Sequence, residues 1–244
     1  MKKKGKVVVS KDGPYLVSGA LPLRKEISEV GEEGEPVRWV GGKEYPAQEY
    51  YCLCRCGQSK NKPFCDGTHT EVNFDGAETA TRKPYAEQAE TLKGPGVHLQ
   101  DAKPLCARAR FCHPKGGVWN LTLESGDPEK KKWAIQEACN CPSGRLVAHD
   151  AKTEEPIEPE CEPSVNLVEH PHAKISGPIW VKGGVEVESD GGEPYETRNR
   201  MTLCRCGESR NKPFCDGSHE KIGFADGDDS LNRGKEDRAS TTSE

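Results

Sequence analysis

Leu53-Cys-Arg-Cys-Gly-Gln-Ser-Lys-Asn-Lys-Pro-Phe-Cys-Asp-Gly-Thr-His69 returns later in the chain as Leu203-Cys-Arg-Cys-Gly-Glu-Ser-Arg-Asn-Lys-Pro-Phe-Cys-Asp-Gly-Ser-His219. Fourteen of the seventeen positions are identical, and the three exchanges (Gln58 to Glu208, Lys60 to Arg210, Thr68 to Ser218) leave every potential metal ligand in place. Outward from this stretch the match weakens but persists. Upstream, Gly13-Pro14-Tyr15-Leu16-Val17-Ser18-Gly19 answers Gly177-Pro178-Ile179-Trp180-Val181-Lys182-Gly183, and downstream Phe74 answers Phe224. The chain is therefore organised by an internal repeat of about fifty to sixty residues. Each copy reads as strands, then a cysteine loop, then a short helix.

The ligand chemistry follows from the spacing. Cys54 and Cys56 are two apart, so in an extended strand their thiols share one face and can reach one metal ion. Cys65 and His69 are four apart, which puts them a turn apart on one face if a helix begins near Asp66. Asp66 is then the expected N-cap, and Gly67 lets backbone approach the centre. The helix N-terminus would direct free N–H groups at an anionic centre. By ligand type alone, three cysteines and a histidine are an ordinary structural zinc set. All four ligands, however, fall within sixteen consecutive residues, whereas zinc knuckles draw cysteine pairs from separate turns, and this favours an iron–sulfur centre.

The rest of the chain bounds the fold. Of 244 residues only 33% are hydrophobic, with 26 glycines and 18 prolines, so a single large core is not expected and short strands, turns and loops are. Such a chain needs metals, disulfides or assembly for stability. Residues 79–102 read as a polar connector, helical around Ala86 to Leu92 and ending at Gly94-Pro95-Gly96. Residues 103–168 form a third small domain with its own cysteines and Trp119 and Trp133. The boundaries are 1–78 for the first unit, 169–225 for the second and 226–244 for a disordered acidic tail. Basic Met1 to Lys4 lead into only a short apolar segment, so no signal-peptide core is expected. No run reaches membrane-spanning length. The expected setting is a reducing cytoplasm, where clustered cysteines are metal ligands more often than disulfides. A net charge of −5 without a basic stripe argues against nucleic acid as partner.

The string Cys-x-Cys-x2-Ser-x3-Pro-x-Cys-Asp-Gly-(Ser/Thr)-His resembles the defining motif of the CDGSH iron–sulfur family, also called NEET proteins, and it occurs twice without departure. The resemblance implies two 2Fe-2S clusters, one on Cys54, Cys56, Cys65 and His69, the other on Cys204, Cys206, Cys215 and His219. It also implies a small, mixed, β-rich fold in which a β-cap joins a cluster-binding loop and helix and cap strands are exchanged between halves. Two copies in one chain then make an intrachain pseudo-dimer, a monomer with internal pseudo-two-fold symmetry. Cys106-x5-Cys112 followed by Cys141-Pro142-Ser143-Gly144 resembles a divergent mono-cluster ferredoxin-like domain, a small α+β insert. Cysteine followed by proline also closes the bacterial ferredoxin run. A third centre, 3Fe-4S or 4Fe-4S, is the expectation there. Its fourth ligand is unassigned among Cys139, Cys161 and His113, and the alternative is reduced thiols packed in a small core. Cys52 faces Thr202 in the repeat and is read as a non-ligand.

Function follows as an expectation. The chain is read as a non-catalytic iron–sulfur protein in one-electron transfer or cluster delivery, serving a redox partner protein or an apo-acceptor of clusters, with neither nucleic acid nor membrane as partner. The alternatives are a zinc-stabilised interaction module and an electron-transfer subunit of a larger oxidoreductase. His69 and His219 are the ligands whose second ring nitrogen can titrate, which would couple reduction to protonation and make the clusters labile in acid. Arg55, Lys60, Lys62, Arg205, Arg210 and Lys212 read either as solvated loop charges or as compensation for an anionic centre. His98, His149, His170 and His172 read as surface imidazoles, and Glu154 to Glu162 as a solvated loop.

Overall fold

The computed structural model describes residues 5–235. Its strands obey the two-residue period expected of half-buried sheets. In β1 (Lys6–Val9), β2 (Tyr15–Ser18) and β5 (Tyr50–Leu53), Val7, Val9, Tyr15, Val17, Tyr51 and Leu53 point inward while their neighbours are more open. Their repeat counterparts are β10 (Ser164–His170), β11 (Ile175–Lys182) and β13 (Arg200–Leu203), which are covered on both faces almost throughout.

Register makes the repeat explicit. Tyr15 pairs with Leu53 and Val17 with Tyr51; in the second copy Ile179 pairs with Leu203 and Val181 with Met201. The two copies also interlock. β3 (Leu23–Val30) follows β2 in the chain but runs parallel to β10 of the other copy, Val165 opposite Leu23. β12 (Glu186–Ser189) follows β11 and runs parallel to β1, Lys6 opposite Glu186. The result is a four-stranded sheet in the order β12-β1-β2-β5 and a five-stranded sheet β13-β11-β10-β3-β4, with β4 at Pro36–Glu44. A single apolar core draws Val9, Tyr15, Leu23 and Leu53 together with Leu167, Ile179, Val187 and Leu203. Each buried aliphatic side chain of this set contributes about 1.5–3 kcal/mol, and four of the eight residues come from either copy, so neither copy owns its core.

The middle of the chain builds a separate antiparallel sheet from β6 (Glu90–Lys93), β7 (Val97–Asp101), β8 (Leu146–Asp150) and β9 (Pro156–Ile157). Leu99, Leu146 and Ala148 of this sheet pack with Val118 and Ala138, which lie on α3 (Val118–Leu123) and α4 (Pro128–Cys139). The longer helix starts at Asp127, whose carboxylate accepts from the N–H groups of Glu129 and Lys130 at 2.9 and 3.1 Å, with Pro128 at the first helical position.

Two expectations change here. The helical reading of Ala86 to Leu92 holds for only one turn, α2 (Tyr85–Gln88), after which Glu90 to Lys93 pair with His98 to Asp101 around Gly94-Pro95-Gly96. An isolated short helix is marginal, and the hairpin wins because it extends the middle sheet. The acidic tail is ordered through residue 235: Asp226 and Asp228 sit 3.1 and 2.9 Å from the buried Lys25 ammonium, and a 3₁₀ stretch runs over Asp229–Lys235. Residues 236–244 of that tail, and the basic Met1 to Lys4, lie outside the described residues. Among the described residues no helix is long and apolar enough to cross a membrane.

Candidate metal centres

Each cysteine loop leaves its last cap strand, β5 or β13, and folds back on it. Cys54 N–H donates to Pro63 O and Cys65 N–H to Cys52 O; Cys204 and Cys215 repeat both bonds with Pro213 and Thr202. Ser59 Oγ and Ser209 Oγ each donate to the carbonyl five residues on, Phe64 or Phe214, at 2.6 Å, and both Lys-Pro bonds of the loops are cis. One-turn helices follow, α1 (Thr68–Glu71) and α5 (Ser218–Lys221). Their N-caps are Gly67 and Gly217 in left-handed backbone rather than Asp66. Asp66 instead accepts from the N–H groups of Thr68 and Lys60, which holds its carboxyl far below the ordinary range.

The donor atoms come out as pairs. Cys54 Sγ and Cys56 Sγ are 3.7 Å apart, as are Cys204 Sγ and Cys206 Sγ. Cys65 Sγ lies 3.4 Å from His69 Nδ1, and Cys215 Sγ 3.3 Å from His219 Nδ1. Two thiolates bound at about 2.3 Å to one tetrahedral metal stand about 3.7–3.8 Å apart, and a thiolate and an imidazole nitrogen slightly closer. Each pair is thus spaced to hold one metal. Among the described residues no three His, Cys, Asp or Glu side chains converge on a single ion position.

Burial gives these thiols a reason to bind a cation. Cys215 is driven well above its ordinary pKa by desolvation and then by Cys204. Within the other pair the hydrogen bond from the Cys206 thiol brings Cys204 down to about 7, and the thiolate so formed holds Cys206 strongly protonated. Two adjacent thiolates therefore need a metal to exist. His219 is pushed down to about 4 by burial and then by Arg205, so it is a neutral ligand at ordinary pH. The donor set fits a metal centre in both copies.

The loops meet back to back. A Cβ built on Gly57 would stand 2.5 Å from the Cys206 carbonyl oxygen, and one on Gly207 2.5 Å from that of Cys56, with φ at +75° and +86°. Only glycine allows both the left-handed backbone and this approach. Tyr15 Oη, from the first copy, donates to Cys204 O at 2.7 Å. Sequence reasoning assigned close approach to Gly67; around that residue a Cβ would meet open space. The persistence of Gly57 and Gly207 at one place in both copies was the available signal.

Arg55 and Arg205 are not solvated loop charges: they are 2% and 4% exposed. Arg205 binds Glu169 and Asp226, each at 2.8 Å, whereas Arg55 donates to the carbonyls of Ser10 and Gly76. Lys60 and Arg210 are exposed, and Lys62 and Lys212 partly so. His170 is likewise buried, its Nδ1 2.8 Å from Ser28 Oγ, and desolvation followed by the charges of His219, Arg205 and Arg110 lowers its pKa to about 3. Glu158, in the acidic loop, forms an ion pair with the buried Arg200 at 2.8 Å.

In the middle domain Cys106, Cys112 and Cys141 line one pocket together with Ala109 and Arg145. Cys139, Cys161 and His113 do not line it. Arg108 and Arg110, inside the Cys106–Cys112 loop, both have positive φ, +56° and +63°. Left-handed backbone on either side of Ala109 can turn neighbouring N–H groups towards a common concavity, an arrangement that suits an anionic centre. Burial pushes Cys112 up to about 12, with Cys141 adding to it, and Arg145, held by Asp101 at 2.6 Å, supplies a neighbouring cation. Three thiols, the donor type that holds iron–sulfur clusters, thus share one pocket. Ala109 occupies the place midway between Cys106 and Cys112 where the bacterial ferredoxin run C-x2-C-x2-C carries its second cysteine.

This loop also covers the second site. Arg108 packs against Gly217, Glu220 forms ion pairs with both Arg108 and Arg110, and Asn211 Nδ2 donates to Pro104 O at 3.1 Å. Accordingly Cys215 and His219 are buried, while Cys65 and His69 are only half-buried.

The chain matches the family described as iron-binding zinc finger, CDGSH type, over residues 12–70 and 176–220, and the family described as divergent 4Fe-4S mono-cluster over residues 92–151. No curated protein and no solved structure matches it.

Proposed function

Given that this chain is an iron–sulfur protein carrying two CDGSH-type regions around a divergent 4Fe-4S mono-cluster domain, we propose that it is a non-catalytic carrier of electrons or clusters with two 2Fe-2S sites and a third centre between them. The observation that carries this reading is the pairing of donors: two thiols at 3.7 Å and a thiol with an imidazole at 3.3–3.4 Å, in both copies. Two pairs, each spaced for one metal, suit a two-metal centre better than one zinc ion. When bound, such clusters supply reversible one-electron chemistry.

The chain's own residues do the rest. Cys54 and Cys56 hold one side of the first centre, and Cys65 and His69 the other; Cys204, Cys206, Cys215 and His219 do the same in the second. Gln58 N–H and Gly217 N–H donate to ligand sulfurs at 3.5 and 3.4 Å, bonds of the kind that tune potential. Cys106, Cys112 and Cys141 would hold the third centre. Strand exchange between β3 and β10 and between β12 and β1 supports an intrachain pseudo-dimer that needs no second chain. The expected partner is a one-electron protein or an apo-acceptor of clusters, docking where the first site faces solvent.

The test is to reduce the protein anaerobically and mix it either with an oxidised one-electron acceptor protein or with an apo-ferredoxin. Recovery of the oxidised visible spectrum in the first case, or its appearance on the apo-ferredoxin in the second, supports a carrier. A protein that neither cycles nor passes on its colour contradicts it.

A further inference from the structure

The two CDGSH sites share ligands but not surroundings. Their arginines stand between the paired cysteines, at positions 55 and 205, and each is anchored to an equivalent backbone carbonyl. Arg55 Nη1 donates to Ser10 O at 3.1 Å and Arg205 Nη2 to Val168 O at 2.8 Å. The sheet register, Val9 opposite Tyr15 and Leu167 opposite Ile179, makes those two carbonyls counterparts. From there the copies diverge. The residue after the carbonyl is Lys11 in the first copy and Glu169 in the second, and two residues beyond Phe74 and Phe224 stand Gly76 and Asp226.

Both carboxylates of the second copy are used. Glu169 and Asp226 flank Arg205 at 2.8 Å and, with Asp228, hold the buried Lys25 at 2.9–3.1 Å. Two cations meet three carboxylates there. Around Arg55, among the described residues, no carboxylate lies within ion-pairing distance; Asp12 is engaged by Gly76 N–H at 2.9 Å. The guanidinium lies over the rings of Tyr15 and Phe74, 5.6 Å from each centroid, and Arg205 lies over Phe224 at the same distance, so the carboxylates are what sets the two apart. In an interior of low dielectric an uncancelled charge acts over a longer range than one cancelled by its neighbours. The arginines over the second site, Arg108 and Arg110, do not reverse the comparison. They share Glu220, and their side chains are 48% and 62% exposed, where solvent and salt screen them.

Resting on the reading of both sites as iron–sulfur centres, we propose that they are reduced in a fixed order, the Cys54–His69 site first, because buried Arg55 is an uncompensated cation there while Glu169 and Asp226 cancel Arg205 at the second. Solvent exposure acts in the same direction. An electron added to an anionic centre is better stabilised where water reaches, and His69 is more open than His219. Arg55 is thus a positioning residue for charge, acting through its field rather than by ligation.

The experiment is a potentiometric titration of the full-length protein followed by electron paramagnetic resonance. His69→Cys assigns the steps, since the wild-type signal it removes belongs to the first site. The expected result is two resolved one-electron steps from the two 2Fe-2S sites, separate from the signal of the middle centre, with the Cys54–His69 signal rising before the other. Asp226→Asn, which leaves Arg205 one carboxylate short, should move the second step up towards the first and leave the first in place. Coincident steps, or the His69 signal rising last, overturn the order. Neither outcome depends on Asp226→Asn, so both stand even if that variant does not fold. Iron without acid-labile sulfide would overturn the iron–sulfur reading itself, and this inference with it.

Discussion

Gly57 and Gly207 decide whether the two cysteine loops can lie back to back. Alanine at either would add left-handed strain of about 1–2 kcal/mol and a clash costing about 1–3 kcal/mol more. Gly57→Ala should therefore lower stability by about 2–5 kcal/mol in urea unfolding, whereas Gly67→Ala, with open space around the Cβ, should show the backbone strain alone. His170 offers a test by pH. Its folded pKa is about 3 against an ordinary 6.5, owing chiefly to burial, so the unfolded chain binds the extra proton between those values. Its contribution to stability is then intact above about pH 6.5 and falls as pH drops towards 3, with a slope of up to about 1.4 kcal/mol per pH unit. His170→Gln should flatten that slope relative to wild type across pH 5–7; an identical slope in both would assign the acid sensitivity elsewhere. At Ala109 a cysteine would complete a four-thiol set in the middle pocket. For a three-iron middle centre, Ala109→Cys should bind one iron more per chain than wild type and Ala109→Val should not; for a four-iron centre the iron count should stay the same. The pairing of Cys54 with Cys56 and of Cys65 with His69, and of their counterparts, was legible in the sequence because the spacing is local. Burial of Arg55, Arg205 and His170 was not: their partners lie up to 142 residues away.

At the scale of elements, the repeat placed strands ahead of each cysteine loop, and the matching segments around Tyr15 and Ile179 fell on equivalent strands in equivalent register. Which strand each would pair with was accessible only through the family resemblance, since a strand carries no local mark of a parallel partner in the other copy. The helix expected at Ala86 to Leu92 failed for a related reason: pairing across Gly94-Pro95-Gly96 outweighs a short helix's own preference. The acidic tail was misjudged because composition cannot show that Asp226 and Asp228 answer a lysine two hundred residues earlier. Ending the chain at Ala225 would remove Asp226 and Asp228 and leave Lys25 and Arg205 to share Glu169 alone in a buried setting. That truncation should cost about 3–5 kcal/mol, the range for breaking a buried ion pair, measured as the loss in urea unfolding free energy; a change below about 1 kcal/mol would show that the network is not needed.

For the molecule as a whole, the middle domain breaks the symmetry of the repeat by covering one metal site and leaving its twin half-open. The two CDGSH sites should therefore lose iron in two separate phases when a chelator is added, the faster from the Cys54–His69 site. The double variant Arg108→Ala, Arg110→Ala should speed the slow phase and leave the fast one unchanged, as followed by visible absorbance. The two-unit plan was legible as a repeat, but this cover was not, because Arg108 and Arg110 read as ordinary loop charges until Glu220 is placed beside them. All of this depends on paired metals with bridging sulfide at both CDGSH sites. The most direct measurement is iron, acid-labile sulfide and zinc per chain in anaerobically isolated protein, compared with Cys54→Ser and Cys204→Ser. The account predicts iron and sulfide together, with each variant losing about two irons and two sulfides; stoichiometric zinc, or iron free of sulfide, would contradict it.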